Sequence, residues 1–153
     1  MICMKKISLL LIILNCIKLQ SQIINIPDVI FKNRLLQSNT VNYIGQNTSG
    51  VNIVIDANGD GEIQQNEALQ VGYLYLHSDI ANPSTHFSSL EGINFFTNLK
   101  WLALANNNLT SLNINQLMNL EVLGCNNNQL SAVDFTGLAS LIRVDASQNL
   151  FTS

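Results

Sequence analysis

The sequence predicts an α/β solenoid with short parallel strands, and three observations lead to this fold class. Apolar residues recur at a fixed step of 21 residues, which starts the copies at Leu99, Leu120 and Leu141. Each copy carries an asparagine at one shared position, occupied by Asn107, Asn128 and Asn149. A unit this short cannot bury its own apolar side chains. Neighbouring copies must therefore stack around one continuous core.

Within each copy, the order Leu-x-x-Leu-x-Leu-x-x-Asn-x-Leu predicts a short strand followed by a sharp bend. Alternation turns Leu102 and Leu104 inward and leaves residues 101 and 103 outward. A buried Asn side chain offers both a donor and an acceptor to the backbone at the bend, so the three asparagines should stack as an internal ladder. Cys125 takes the position of Leu104 in the next copy, and we interpret it as a small buried hydrophobe.

Residues 1–21 have the outline of a secretory signal peptide: Lys5 and Lys6 precede an apolar run over residues 7–14, and polar residues follow. That run is shorter than the roughly 20 apolar residues of a membrane span. The mature protein is therefore expected to be secreted or on the cell surface. An uncleaved anchor and lipid attachment at Cys16 are the alternatives.

Charge excludes two classes of partner. Removal of the signal peptide takes away Lys5, Lys6 and Lys18 and leaves four basic residues against ten acidic ones. An acidic chain without a Lys/Arg cluster is not expected to bind nucleic acid or, after signal cleavage, an anionic membrane. We expect a monomer.

The remaining residues divide into an N-terminal capping region, 22–70, and the repeats, 71–153. In the capping region the pattern predicts a short amphipathic helix over residues 29–37, a loop over 38–50 and a strand over 51–55. The repeats are 71–98, 99–119, 120–140 and a partial copy, 141–153. The first copy is 28 residues long, so its extra seven residues should form an excursion within residues 78–86.

The second informative motif is the segment of residues 56–67. Its oxygen-bearing side chains and Gly61 have the spacing of an EF-hand-type calcium loop, similar to lone loops in dockerin-like extracellular modules. Calcium is therefore the expected cofactor, in a structural role. The predicted ligands are Asp56, Asn58, Asp60, the backbone carbonyl of Glu62, Gln64 through a water, and Glu67 with both oxygens. The alternative is a metal-free turn rich in Asn, Gly and Asp.

The spacing of leucines and asparagines in residues 71–153 resembles the leucine-rich-repeat family, and specifically the short repeats of secreted bacterial internalin-like proteins. The resemblance implies a horseshoe of short parallel strands behind an N-terminal cap formed by the helix and calcium loop. It also implies a recognition or adhesion scaffold that contacts its partner through the concave sheet.

The predicted register places two columns of side chains on that sheet. Aromatic and charged residues in these columns are of the types that dominate binding interfaces. The predicted contact residues for a protein or glycan ligand are Tyr73, Tyr75, His77, Trp101, Arg143 and Asp145. The alternative is an architectural spacer, or an N-terminal fragment of a larger surface protein, without binding activity of its own.

Catalytic constellations are absent from the sequence. His77 and His86 are the only histidines, and no HExxH, GxSxG, CxxC or phosphate-binding glycine motif occurs. Asp134 and Asp145 occupy different repeat positions, so no paired-carboxylate site is implied. We therefore expect that the protein is not an enzyme.

Overall fold

The computed structural model describes residues 22–152, in which five short strands form one sheet. The predicted signal peptide, residues 1–21, lies outside the described residues. The strands, in both chain order and sheet order, are β1 Gly45–Asn47, β2 Val71–Tyr75, β3 Trp101–Ala103, β4 Val122–Gly124 and β5 Arg143–Asp145. Pairing is parallel from β2 to β5, whereas β1 is antiparallel to β2. A sheet of mostly parallel strands fits a solenoid-like fold.

The strand register follows the 21-residue step. Leu102 on β3 pairs with Leu123 on β4, which pairs with Val144 on β5. Leu102 and Leu123 are completely buried, as the alternation requires. Cys125 is also completely buried, and burial, followed by the nearby Asp145 carboxylate, raises the pKa of its thiol to about 11. The prediction of a small, buried cysteine is confirmed.

The internal asparagine ladder is present. The Asn128 amide donates to the carbonyls of Leu104 and Cys125 at 2.9 and 3.1 Å, and its oxygen accepts the Leu109 N–H at 3.1 Å. Asn107 and Asn149 make the corresponding bonds one rung before and one rung after. Each side chain therefore joins two neighbouring rungs, and this cross-linking places the strands in register.

The N-terminal helix α1, Val29–Leu36, lies within the predicted range of 29–37. It buries Phe31 and Leu35, and the Phe31 ring lies 5.5 Å from the ring of Phe87 between their centroids. The helix begins at Asp28, whose carboxylate caps it by accepting the N–H groups of Ile30 and Phe31. The helix therefore shares one hydrophobic core with the repeats.

Two predictions for the N-terminal region are wrong. Residues 51–55 do not form a strand: Asn52 makes only an isolated bridge to Gln46. The actual edge strand, β1, lies in the segment predicted to be a loop. Strand propensity depends on the neighbours that a segment finds, and here Ile55 is buried over Gly45, where an added Cβ would lie 2.7 Å from its side chain. Gly45 thus leaves room for the Ile55 side chain to pack against β1.

The connections are short. A one-turn helix α2, Gln65–Ala68, leads into β2, and single 3₁₀ turns occupy Pro83–Thr85 and Ile93–Phe95. The first of these turns lies within the predicted excursion of residues 78–86. None of the helices in residues 22–152 is both long and apolar enough to cross a membrane.

Candidate functional site

Alternate strand residues project from the sheet face opposite the leucine core, and we call this surface the open face. The strand pairing aligns two columns on it, which match the predicted ones. The first column runs Tyr73, Trp101, Val122, Arg143 and the second runs Tyr75, Ala103, Gly124, Asp145. The open face therefore changes from aromatic at β2 and β3, through small or aliphatic at β4, to charged at β5.

The structure brings three of the predicted contact residues together. Tyr73 and Trp101 are partners across β2 and β3, and the Tyr75 ring lies 6.2 Å from Trp101 between centroids at a tilt of 35°. All three side chains are only partly buried. Partial burial, followed by the neighbouring Tyr73, raises the pKa of the Tyr75 hydroxyl. Tyr73, Tyr75 and Trp101 form what we call the aromatic cluster.

The other predicted contact residues stand apart from this cluster. Arg143 and Asp145 are exposed on β5, two strands beyond Trp101, so they border the open face at its far end. Hydrogen bonds from the side chain and backbone of Ser147 lower the pKa of Asp145. His77 is exposed beyond the end of β2.

Sequence reasoning missed Gln46. This residue lies on β1 opposite Tyr73, so it extends the first column past the aromatic cluster, and its side chain donates to Asn52 at 2.8 Å. No sequence pattern indicates this position, because Gly45, Gln46 and Asn47, the three residues of β1, do not favour a strand.

The predicted calcium loop is a compact turn fastened by its own first carboxylate. One Asp56 oxygen accepts the N–H groups of Gly59 and Asp60, and the other accepts the N–H of Gly61. Gly59 and Gly61 have left-handed backbones, with φ of 72° and 79°, which glycine adopts without strain. Ile63, the eighth residue of the loop, is completely buried and anchors the loop to the core.

Four of the predicted ligands line one depression of about 300 Å³ beside the loop: Asn58, Asp60, Gln64 and Glu67. The Asp60 carboxylate accepts the side-chain amides of Asn58 and Gln64 at 2.9 and 2.8 Å. The backbone N–H of Glu62, followed by these two amides, lowers the pKa of Asp60. The depression is therefore lined with oxygen-bearing side chains held close together.

Of the two glutamates in the loop, Glu67 lines the depression and Glu62 does not. Glu67 is buried, and its carboxylate accepts backbone N–H groups of Ala57, Asn58 and Gln64. The Glu62 side chain leaves the depression and pairs with Lys32 at 2.6 Å, so only its backbone carbonyl suits the predicted role. Within the described chain, no three His, Cys, Asp or Glu side chains form a metal-holding group. A cation here would need the amide oxygens of Asn58 and Gln64 as well.

No family profile and no curated protein matches the sequence. The fold is similar to that of an internalin, InlF, from Listeria monocytogenes str. 4b F2365, with a TM-score of 0.61 and 18% identity over 83% of this chain. It is also similar to the functional domain of InlJ from Listeria monocytogenes, which includes a cysteine ladder, with a TM-score of 0.55 and 20% identity over 84% of this chain. The match spans 32% and 25% of those chains, respectively. The structural neighbours therefore support an internalin-like leucine-rich-repeat fold.

Proposed function

We propose that this chain is a secreted or cell-surface recognition module that binds a protein or glycan through the open face. The aromatic cluster is the observation that carries the proposal. Its three rings are partly exposed on a sheet whose opposite face already holds the core, so core packing alone does not account for their position. Exposed aromatic patches of this kind mark contact surfaces.

The shape of the open face supports the same function. Ala103 and Gly124 follow Tyr75 in the second column, so the sheet beside the aromatic rings carries little side-chain bulk. A ligand placed against the rings would reach the backbone level of the sheet there. Arg143 and Asp145 at the far end add one charge of each sign. This combination of an apolar centre and a polar border is the usual composition of a binding surface.

Trp101 provides a direct assay because it is the only tryptophan in the chain. A panel of glycans and cell-surface proteins is screened for binding, and each hit is titrated while the Trp101 emission is recorded. A ligand at the aromatic cluster shifts or quenches that emission. Tyr75→Ala should then weaken binding by about 30-fold or more, since buried aromatic contacts are typical hot spots worth about 2 kcal/mol or more.

The matched control is Tyr43→Ala, because Tyr43 is 70% exposed and lies outside the described columns of the open face. Both variants should keep the circular dichroism spectrum of the wild type. Equal binding by wild type and Tyr75→Ala would contradict the assignment of the open face. Failure of the folded wild type to bind any member of the panel would favour an architectural spacer.

The proposal includes a structural calcium ion in the loop of residues 56–67. The donor chemistry fits such an ion, because Ca²⁺ takes six to eight oxygens and the loop supplies carboxylates, amides and a backbone carbonyl. The amides of Asn58 and Gln64 offer oxygen after a half-turn about the terminal bond. When bound, the ion would offset repulsion between Asp56, Asp60 and Glu67 and fasten the loop to the start of the repeats.

Calcium is tested by thermal unfolding with calcium and with a chelator. Wild type should melt at a higher temperature in calcium, and Asp60→Asn should lose most of that increment, because stabilisation by a bound ion follows its affinity. Asp134→Asn is the matched control, since Asp134 is also exposed and accepts a backbone N–H two residues on. An identical melting temperature for wild type in both conditions would remove the ion from the proposal.

A further inference from the structure

A second depression lies where α1 meets the excursion of the first repeat. Its volume is about 180 Å³, and its lining residues are Ile30, Asn33, Arg34, Gln37, Ser84 and Thr85. The first four come from α1 and its C-terminal cap, and the last two come from the 3₁₀ turn Pro83–Thr85. The later copies follow the 21-residue step and have no such excursion, so this depression is particular to the first repeat.

Arg34 in this depression lacks the partners that an arginine normally has. Its Nε is buried and has no hydrogen-bond partner. Its Nη2 reaches the His77 carbonyl at 3.4 Å, which is long for a hydrogen bond. The single ion pair in residues 22–152 joins Lys32 to Glu62, so no carboxylate of the described chain lies within 4.0 Å of Arg34.

The buried Nε of Arg34 needs an explanation, because a buried donor without an acceptor costs free energy. The guanidinium is a planar fork of donors whose geometry matches two oxygens of one anion. The side-chain amides of Asn33 and Gln37 make no hydrogen bonds within the described residues, so their N–H groups are available as further donors. The hydroxyls of Ser84 and Thr85 donate to Asn82 and give the rim a polar edge.

We propose that this depression binds an oxyanion group, a phosphate, sulfate or carboxylate, with Arg34 as its principal donor. The site shares no side chain with the two columns of the open face or with the calcium loop. It stands beside His77, at the end of the strand that carries Tyr73 and Tyr75. An anionic group of a ligand or partner could therefore be held at the border of the open face.

Isothermal titration calorimetry with inorganic phosphate, sulfate and acetate tests the site, at constant ionic strength with chloride as the background anion. Wild type should bind one phosphate or sulfate per chain in a saturable manner. Arg34→Gln should raise the Kd about tenfold or more, and Arg34→Lys should fall between, because lysine keeps the charge but loses the fork. If acetate binds as tightly as phosphate or sulfate, the site also accepts a carboxylate. If acetate does not bind, the site is restricted to tetrahedral oxyanions.

A second variant tests the site without removing Arg34. Gln37→Glu places a carboxylate three residues along the helix from Arg34, within reach of its guanidinium. This carboxylate should form an ion pair with Arg34 and abolish phosphate binding. Gln129→Glu makes the same change of charge on an exposed residue of the repeats and should leave phosphate binding as in wild type. The proposal is overturned if wild type shows no saturable binding of any of the three anions, or if Arg34→Gln binds phosphate as tightly as wild type does.

Discussion

Replacement of Asp28 should destabilise the protein because its carboxylate accepts hydrogen bonds both from α1 and from the first repeat. One oxygen of its carboxylate accepts the N–H groups of Ile30 and Phe31, each at 3.0 Å. The other accepts the N–H groups of Ser88 and Ser89 at 2.9 and 3.1 Å, together with the Ser88 hydroxyl at 3.3 Å. A single side chain thus begins α1 and joins it to the first repeat.

The expected cost follows from these two functions. Loss of an aspartate N-cap costs about 1 kcal/mol. The Ser89 N–H is partly buried, and a buried donor left without an acceptor costs about 1–3 kcal/mol. Water can replace the bonds to exposed Ser88. Asp28→Ala should therefore lower the free energy of unfolding by about 2–3 kcal/mol, measured as the midpoint shift in urea denaturation at constant slope.

Two further variants separate the contributions. Asp28→Ser keeps a capping oxygen but is too short to reach Ser88 and Ser89, so it should recover only the capping part of the loss. Asp28→Asn keeps one acceptor but offers N–H groups where the carboxylate accepted them. It should lose the connection to the repeat and retain the cap.

The pH dependence has a definite sign. Burial raises the pKa of Asp28. The hydrogen bonds from the backbone N–H groups of Phe31, Ser88 and Ser89 and from the Ser88 hydroxyl lower it by a larger amount, so the pKa lies below the ordinary value of 3.8. A lowered native pKa contributes stability above the unfolded pKa, and this contribution is lost as pH falls through the native pKa. The gap between wild type and Asp28→Asn should be constant from pH 5 to 8 and narrow in acid below about pH 4. A gap that widens in acid, or a loss below about 0.5 kcal/mol in Asp28→Ala, which is the range of surface substitutions, would refute the reasoning.

Three other predictions concern the repeats and their junction with the N-terminal region. Gln148→Asn should raise the free energy of unfolding by up to about 1 kcal/mol, measured as a higher urea midpoint. The reason is that φ at Gln148 is 55°, and asparagine tolerates this backbone better than glutamine does. Gly92→Ala should lower the free energy of unfolding by about 1–3 kcal/mol, because φ is 99° and the added Cβ would lie 2.8 Å from Ile26. Gly124→Ala is the control: its Cβ would meet nothing nearer than 4.0 Å, so the free energy of unfolding should stay close to that of wild type. Cys125 should resist a thiol reagent at pH 8 in the folded protein and react at once in urea, since burial raises its pKa to about 11; rapid reaction in the native state would contradict this packing.

The repeat region could be predicted because each of its features is repeated. Leu102, Leu123 and Asn128 each belong to a periodic position, and every copy reinforces the same interpretation. The edge of the sheet has no such support. β1 contains Gly45, Gln46 and Asn47, none of which favours a strand, and it forms because β2 offers an antiparallel partner at that place. Residues 51–55 have the better strand composition and find no partner.

The sequence indicates one of the two functions of Asp28, the helix cap, but not its bonds to the first repeat. An aspartate after Pro27 and before an apolar helix is a capping signal. The bonds from Ser88 and Ser89 join residues 60 and 61 positions apart along the chain, and no local pattern specifies such a contact. The same limit applies to Arg34, whose missing partner becomes visible only when the excursion of the first repeat is placed beside α1.

The asparagine ladder explains how a chain with so few charged residues fixes its register, and it gives a sharp test. Asn128 donates to Leu104 and Cys125 and accepts from Leu109. Asn128→Ala leaves the Leu109 N–H without a partner, whereas the carbonyls of Leu104 and Cys125 each keep one donor, the amides of Asn107 and Asn149. A buried donor left without an acceptor costs about 1–3 kcal/mol, and the free energy of unfolding should fall by about that amount. Asn126 lies in the same run, and its side chain makes no hydrogen bond within residues 22–152, so Asn126→Ala should stay within about 0.5 kcal/mol of wild type. Equal urea midpoints for the two variants would mean that apolar stacking alone holds the rungs, and that the buried amides only fill space.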